Sequence, residues 1–193
     1  MINTYHQLKK CLKVDAIVNE QRKSSQNIKD QILYEHHYLN WKYIKLLRKD
    51  EYYSNNKKGI NMLLRIYYRR KKNKLGEKLG FTIPPNVFDE GLRIWHFGNI
   101  VVNGYARVGK NCILHGDNCI GNDGLTMDAP IIGDNVDIGV GAKIIGNVRI
   151  GNNVIIGANA VVTRSFEEDN IVIAGVPARK IRNIDSEELA CVK

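Results

Sequence analysis

The sequence predicts a mainly β chain, a parallel β-helix of six-residue units preceded by a helical region. Three observations carry that prediction. Counting every sixth residue from Val102 to Val162 gives an aliphatic at ten of eleven positions, with Thr126 the exception. Glycine follows six of them, at Gly109, Gly121, Gly133, Gly139, Gly151 and Gly157. A second inward candidate, usually small or branched, comes four positions after each aliphatic, as at Ala106, Cys112, Val136, Ala142, Val148, Val154 and Ala160. A fixed short period marks stacked units that bury a shared core only with neighbours above and below. A β-sandwich would place turns every 8–12 residues or so and irregularly, which this frame excludes.

Three units close one triangular coil, so residues about eighteen apart stack. The aliphatic fills the interior, and the corners need residues that tolerate positive φ. Asp134-Asn135 and Asn152-Asn153 suit such corners. Before Val102 the frame is out of step: Leu92, Ile94 and Ile100 are apolar, but the coil is irregular and can aim side chains outward. Asn122 to Pro130 reads as a loop leaving the prism, because Thr126 replaces the aliphatic among turn residues. After Thr163 the repeat stops. Ile171 to Ile173 adds a strand, Gly175-Val176-Pro177-Ala178 turns the chain away, and Ser186 to Cys191 suits a short last helix.

Residues 1–72 form the helical region, 73–184 the β-helix and 185–193 a tail. Leu8, Leu12 and Val14 to Val18 give a weak apolar stripe, and Ile28 to Leu47 a stronger one through Ile32, Leu33, Leu39, Tyr43, Ile44 and Leu47. Asn55-Asn56 and Gly59 break the pattern, and Ile60 to Lys71 predicts a third helix. Gly76 and Gly80 end the region, since Pro84-Pro85 requires extended backbone.

The 193 residues carry a net charge of +9, concentrated between Lys42 and Lys78. Such a cluster suits a solvated face, an anionic membrane surface or a polyphosphorylated ligand. No nucleic-acid module accompanies it, so a nucleic-acid partner is not expected. Cys11, Cys112, Cys119 and Cys191 show no zinc spacing, and no metal is expected. With no signal peptide and no long apolar run, the chain reads as cytoplasmic, with peripheral membrane contact through the basic segment left open.

Chemistry must come from breaks in the repeat. Of five histidines, only His96 and His115 lie in or beside the coils. They are nineteen residues apart, so they are expected to project from adjacent coils on one side. Histidine is the side chain suited to take a proton from a hydroxyl near neutral pH. His6, His36 and His37 read as exposed helix residues.

The stretch Gly80-Phe81-Thr82-Ile83-Pro84-Pro85, then Gly91-Leu92-Arg93-Ile94-Trp95-His96-Phe97-Gly98, Ile113-Leu114-His115-Gly116 and Ile173 to Lys180 resembles the left-handed β-helix acyltransferases. Within them it is similar to the serine acetyltransferase branch and its relatives in surface-polysaccharide gene clusters. The resemblance covers residues 73–184. It implies a left-handed coil, a homotrimer with sites in clefts between prisms, and acetyl-coenzyme A as co-substrate. His96 falls on the family's catalytic histidine, the general base. Gly141, Ala142, Gly157 and Ala160 fall where the pantetheine arm runs, and Pro177, Arg179 and Lys180 where the nucleotide end is met. A corner-glycine N–H is the expected donor to the oxyanion.

Serine acetyltransferases carry an Asp immediately before the histidine, where this chain has Trp95, and an Arg-His pair where it has Asp128-Ala129. Thr82 stands where an orienting Asp is expected; Asp89, Glu90 and Asp117 are the alternatives, Asp117 also as an acceptor contact. Trp95 and Phe97 offer the aromatic surface on which a sugar ring packs. The first expectation is therefore an O-acetyltransferase acting on a carbohydrate of a surface polysaccharide or its precursor. Serine O-acetyl transfer is the alternative, and a non-catalytic assembly subunit the third.

Overall fold

The computed structural model describes residues 1–19, 29–185 and 187–188. Its helices include α1 (Tyr5–Val18), α2 (His36–Asn55) and α3 (Asn61–Leu79). Thr4 and Gln7 close a capping box on α1, each side chain taking the other's backbone N–H, which satisfies donors the first turn leaves unpaired.

Three parallel sheets wrap one core. The first orders β1 (Phe81–Thr82), β3 (Ile100–Val102), β6 (Cys119–Gly121), β9 (Lys143–Ile145) and β12 (Val161–Val162). The second holds β4 (Arg107–Val108), β7 (Ile131–Ile132) and β10 (Arg149–Ile150). The third runs β2 (Arg93–Ile94), β5 (Ile113–Leu114), β8 (Asp137–Ile138), β11 (Ile155–Ile156) and β13 (Ile171–Ala174), closed by β14 (Arg179–Asn183). Every aliphatic of the six-residue frame is buried, and so are Ala106, Cys112, Val136, Ala142, Val148, Val154 and Ala160. At one corner Asn111, Asn135, Asn153 and Asn170 all take φ of 54–59°, and each amide donates to the next at 2.8–2.9 Å. The corner expectation for Asn135 and Asn153 holds for that reason: a short amide both tolerates the left-handed backbone and bonds up the stack.

The extruded loop is also where expected. Val108 pairs Ile132, 24 residues on, whereas Ile138 pairs Ile156, 18 on; the difference is one six-residue unit turned out between β6 and β7. The chain end differs from expectation. β14 folds back antiparallel on β13 rather than leaving the prism, covering the last coil's exposed edge. The expected last helix lies outside the described residues except for 187–188, which are helical.

Two helix expectations need correction. Ile28 to Leu47 is not one helix: the chain turns at Leu33-Tyr34, with Tyr34 at φ 55°, and α2 starts at His36. Ile32 and Leu33 are consequently exposed, and Ile28 lies outside the described residues. The helical region also runs past residue 72. α3 passes through Gly76 to Leu79 and ends on Gly80 at φ 79°. Gly76 is inside a helix because a Cβ there would lie 2.5 Å from the Phe81 carbonyl oxygen.

The helices are bonded to the prism through buried charge. Arg48, 1% exposed, pairs with Asp15 at 2.8 Å and Glu51 at 3.2 Å. It also donates to the carbonyls of Phe88 and Asp89 at 2.7 and 2.6 Å. Asp15 in turn accepts from Gly91 N–H at 2.7 Å. Lys72 bridges Asp50 and the Ile83 carbonyl. Part of the basic segment therefore faces inward as structural charge. Around these groups Tyr43, Ile44 and Leu47 of α2 pack on Phe81 and Ile83.

Candidate active site

The bulged corner of the first coil presents His96. Ile94 pairs Leu114 and Val102 pairs Ile120, so eight positions separate the first pair of residues where six separate their partners. The two extra residues push Trp95, His96 and Phe97 outward, and all three are exposed. The corner is held from the next coil. Asp117, at φ 54°, accepts the Asn99 N–H at 2.9 Å. Gly98 sits at φ 131°, and a Cβ there would lie 2.7 Å from an Asp117 carboxylate oxygen. Gly98→Ala is accordingly expected to cost about 1–3 kcal/mol in stability through backbone strain. By shifting the imidazole it should lower any turnover that depends on His96 by as much as ~10²-fold. Steady-state kinetics beside a melting curve check this.

His96 and His115 share Trp95 as a ring neighbour. The corner's extra residues place Trp95 against His115, their rings near parallel at 6.1 Å, while Trp95 and His96 lie 6.4 Å apart. The Arg93 guanidinium covers the Trp95 ring at 3.8 Å. His115 is fixed by its own carboxylate, with Nε2 2.8 Å from Asp137 Oδ1. Burial raises the Asp137 pKa, and the His115 charge opposes that rise. His115 therefore supports the aromatic wall. Asp137 was legible: it is the only acid immediately preceding an inward aliphatic in the repeat.

The helical region contributes a residue that the sequence reading set aside. His36, in the first turn of α2, lies 5.8 Å from the His96 ring and 6.2 Å from Phe97. Asn40, one turn on, donates to the carbonyls of Ile94 and Trp95 at 3.0 and 3.2 Å. It thereby fastens α2 to the corner that carries His96. Among the described residues, Glu35, His36 and His37 are the one group whose ligand atoms come within 4.8 Å of one another. They stand at a helix N-terminus, whose dipole disfavours a cation.

Two of the candidate carboxylate partners of His96 are engaged elsewhere: Glu90 faces Lys10 and Lys110 at 3.7 Å each, and the Asp117 carboxylate accepts the Asn99 N–H. The corner glycines offer no spare donor either: Gly98 N–H goes to the Leu79 carbonyl and Gly116 N–H to the Asn118 side chain.

Gly141, Ala142, Gly157 and Ala160 lie on the upper coils, with both alanine side chains inside the prism. Their N–H groups are spent on Gly116, Gly139, Ile173 and Gly157 carbonyls respectively, so an arm laid there would pair with carbonyl oxygens. Pro177 and Arg179 are exposed on the final turn, and Lys180 pairs with Glu168 at 2.6 Å.

Thiol chemistry is not built into this surface. Cys112 is buried and its pKa raised chiefly by burial, with Asp137 adding to the rise. Burial pushes the Cys11 thiol up to about 12. The thiolate is the reactive form. Iodoacetamide at pH 8 is therefore expected to modify Cys119 ahead of Cys11 and Cys112, which should react only on unfolding; peptide mass mapping checks the order.

Residues 129–164 match the model of the bacterial transferase hexapeptide family (six repeats). No curated protein sequence matches the chain. Among solved structures, serine acetyltransferase from Brucella abortus strain S19 in complex with coenzyme A superposes with a TM-score of 0.74. It is 25% identical, over 94% of this chain and 70% of that one. Neisseria gonorrhoeae serine acetyltransferase gives 0.70 at 28% identity, over 92% and 68% of the two chains. The same enzyme in complex with serine gives 0.69 at 27%, over 92% and 70%. Repeat, prism and helical region together give this chain the left-handed β-helix fold of the hexapeptide-repeat serine acetyltransferases that it resembles.

Proposed function

We propose that the chain moves an acetyl group from acetyl-coenzyme A to an acceptor hydroxyl, with His96 as general base and serine as the acceptor. The observation that carries the reaction is the bulged corner: it holds an exposed imidazole on a rigid scaffold, free of any carboxylate bond among the described residues. The imidazole takes the hydroxyl proton as the oxygen attacks the thioester carbonyl, and returns it to the departing thiolate as the C–S bond breaks. Serine is favoured over the expected carbohydrate because the solved neighbours are serine acetyltransferases, one of them with serine bound. Acetyl-coenzyme A is supported likewise by the neighbour with coenzyme A. The exposed Arg179 is suited to its phosphates. Three copies around one axis, with clefts between prisms, form the assembly in this reading, and the compartment is the cytoplasm.

The carbohydrate reading keeps one specific support. Trp95, backed by Arg93 and His115, is a braced, half-exposed aromatic wall beside His96, and Thr82, Trp95 and Asp128-Ala129 replace groups that would hold an amino acid's charged ends. Release of coenzyme A by the purified protein, with serine, nucleotide sugars or free hexoses as acceptor, tests both. Turnover with serine supports the first reading and turnover with sugars alone the second. Hydrolysis without preference for either removes both.

A further inference from the structure

α3 buries Lys72, Gly76 and Leu79 against the prism, which turns the opposite side of the helix to solvent. That side is not an ordinary solvated face. Its first two turns expose Met62, Leu63, Ile66 and Tyr67, with Leu63 63% and Ile66 57% accessible. The rest is basic: Lys57 and Lys58 lie just before the helix, and Arg70 and Lys74 continue the exposed side. Between Glu51 and Asp89 the only carboxylate in the chain is Glu77. A helix face meant only for water interleaves both signs of charge, and a nucleic-acid face has no use for clustered aliphatics. Aliphatic side chains flanked by unopposed cations match one environment, the boundary between acyl chains and anionic headgroups.

We propose that the outer face of α3 seats the protein on an anionic lipid surface. Met62, Leu63, Ile66 and Tyr67 enter the interface, and Lys57, Lys58, Arg70 and Lys74 meet lipid phosphates. Among the described residues no helix is long and apolar enough to cross a membrane, so the attachment is peripheral and salt-sensitive. It is independent of the acceptor and of His96.

Co-sedimentation of the full chain with phosphatidylcholine vesicles, with and without phosphatidylglycerol, tests this. Binding is expected only with the anionic lipid and should weaken as salt is raised. Arg70→Gln with Lys74→Gln should lower partitioning about 30-fold, since each cation near such a surface contributes roughly fivefold. Leu63→Ser with Ile66→Ser should abolish it, with the melting temperature unchanged because both side chains are exposed. Equal binding to neutral vesicles, or none to either, overturns the proposal. So does a drop in molar mass by light scattering in the serine variant, which would make this face a contact between copies of the chain.

Discussion

Replacing His96 with Ala is expected to lower kcat by ~10²–10⁴-fold, the range that a positioned general base contributes. The KM for acetyl-coenzyme A should change little, because the positions matched to its arm and nucleotide lie on the upper coils and final turn. Stability should be unaffected: the ring is exposed and bonded to no carboxylate among the described residues. This separates His96 from His115. His115→Ala removes the partner of Asp137 and one neighbour of the Trp95 ring, so its effect should fall mainly on acceptor KM.

The second large effect is on folding. Arg48→Met is expected to destabilise the protein by about 3–5 kcal/mol, the cost of breaking a buried ion pair by removing one member. Asp15 and Glu51 stay buried without their cation, and the carbonyls of Phe88 and Asp89 lose a donor. For a chain of this size that is a fall of on the order of 10 °C in melting temperature. The pH dependence has a definite sign. Burial raises the Glu51 pKa, and the Arg48 charge opposes the rise; without Arg48 the folded-state pKa moves further above its unfolded value. A carboxyl with a raised folded pKa favours the fold while protonated, and that contribution is lost as pH climbs from the unfolded through the folded pKa. The variant should therefore lose more stability relative to wild type at pH 8 than at pH 5. Melting curves at both values check this.

The prism was legible because its information is local and repeated. Each aliphatic had only to obey one six-residue frame, and the asparagine corners announced themselves by residue type. The helical region carried no such redundancy. A single turn at Tyr34 broke what periodicity joined, and the close approach of Phe81 kept Gly76 inside a helix that its glycine seemed to end. The candidate corner lay between these cases. His96 was found as a break in the pattern, but two additional residues shifted the register and put Trp95, not His96, beside His115. His36 was invisible because its nearness to His96 depends on how α2 docks. That docking rests on Asn40 and Arg48, long-range bonds without a period. Asp117 reads from sequence as a contact for substrate or for the imidazole; that one of its carboxylate oxygens also ties down Asn99 shows only in the folded corner.

Chemical rescue of His96→Gly bears most directly on the central claim, that the imidazole at this corner takes the acceptor's proton. Coenzyme A release should be nearly lost in the variant and return saturably as free imidazole is added, leaving wild type unmoved. A His96→Gly protein that turns over at the wild-type rate without imidazole would contradict it.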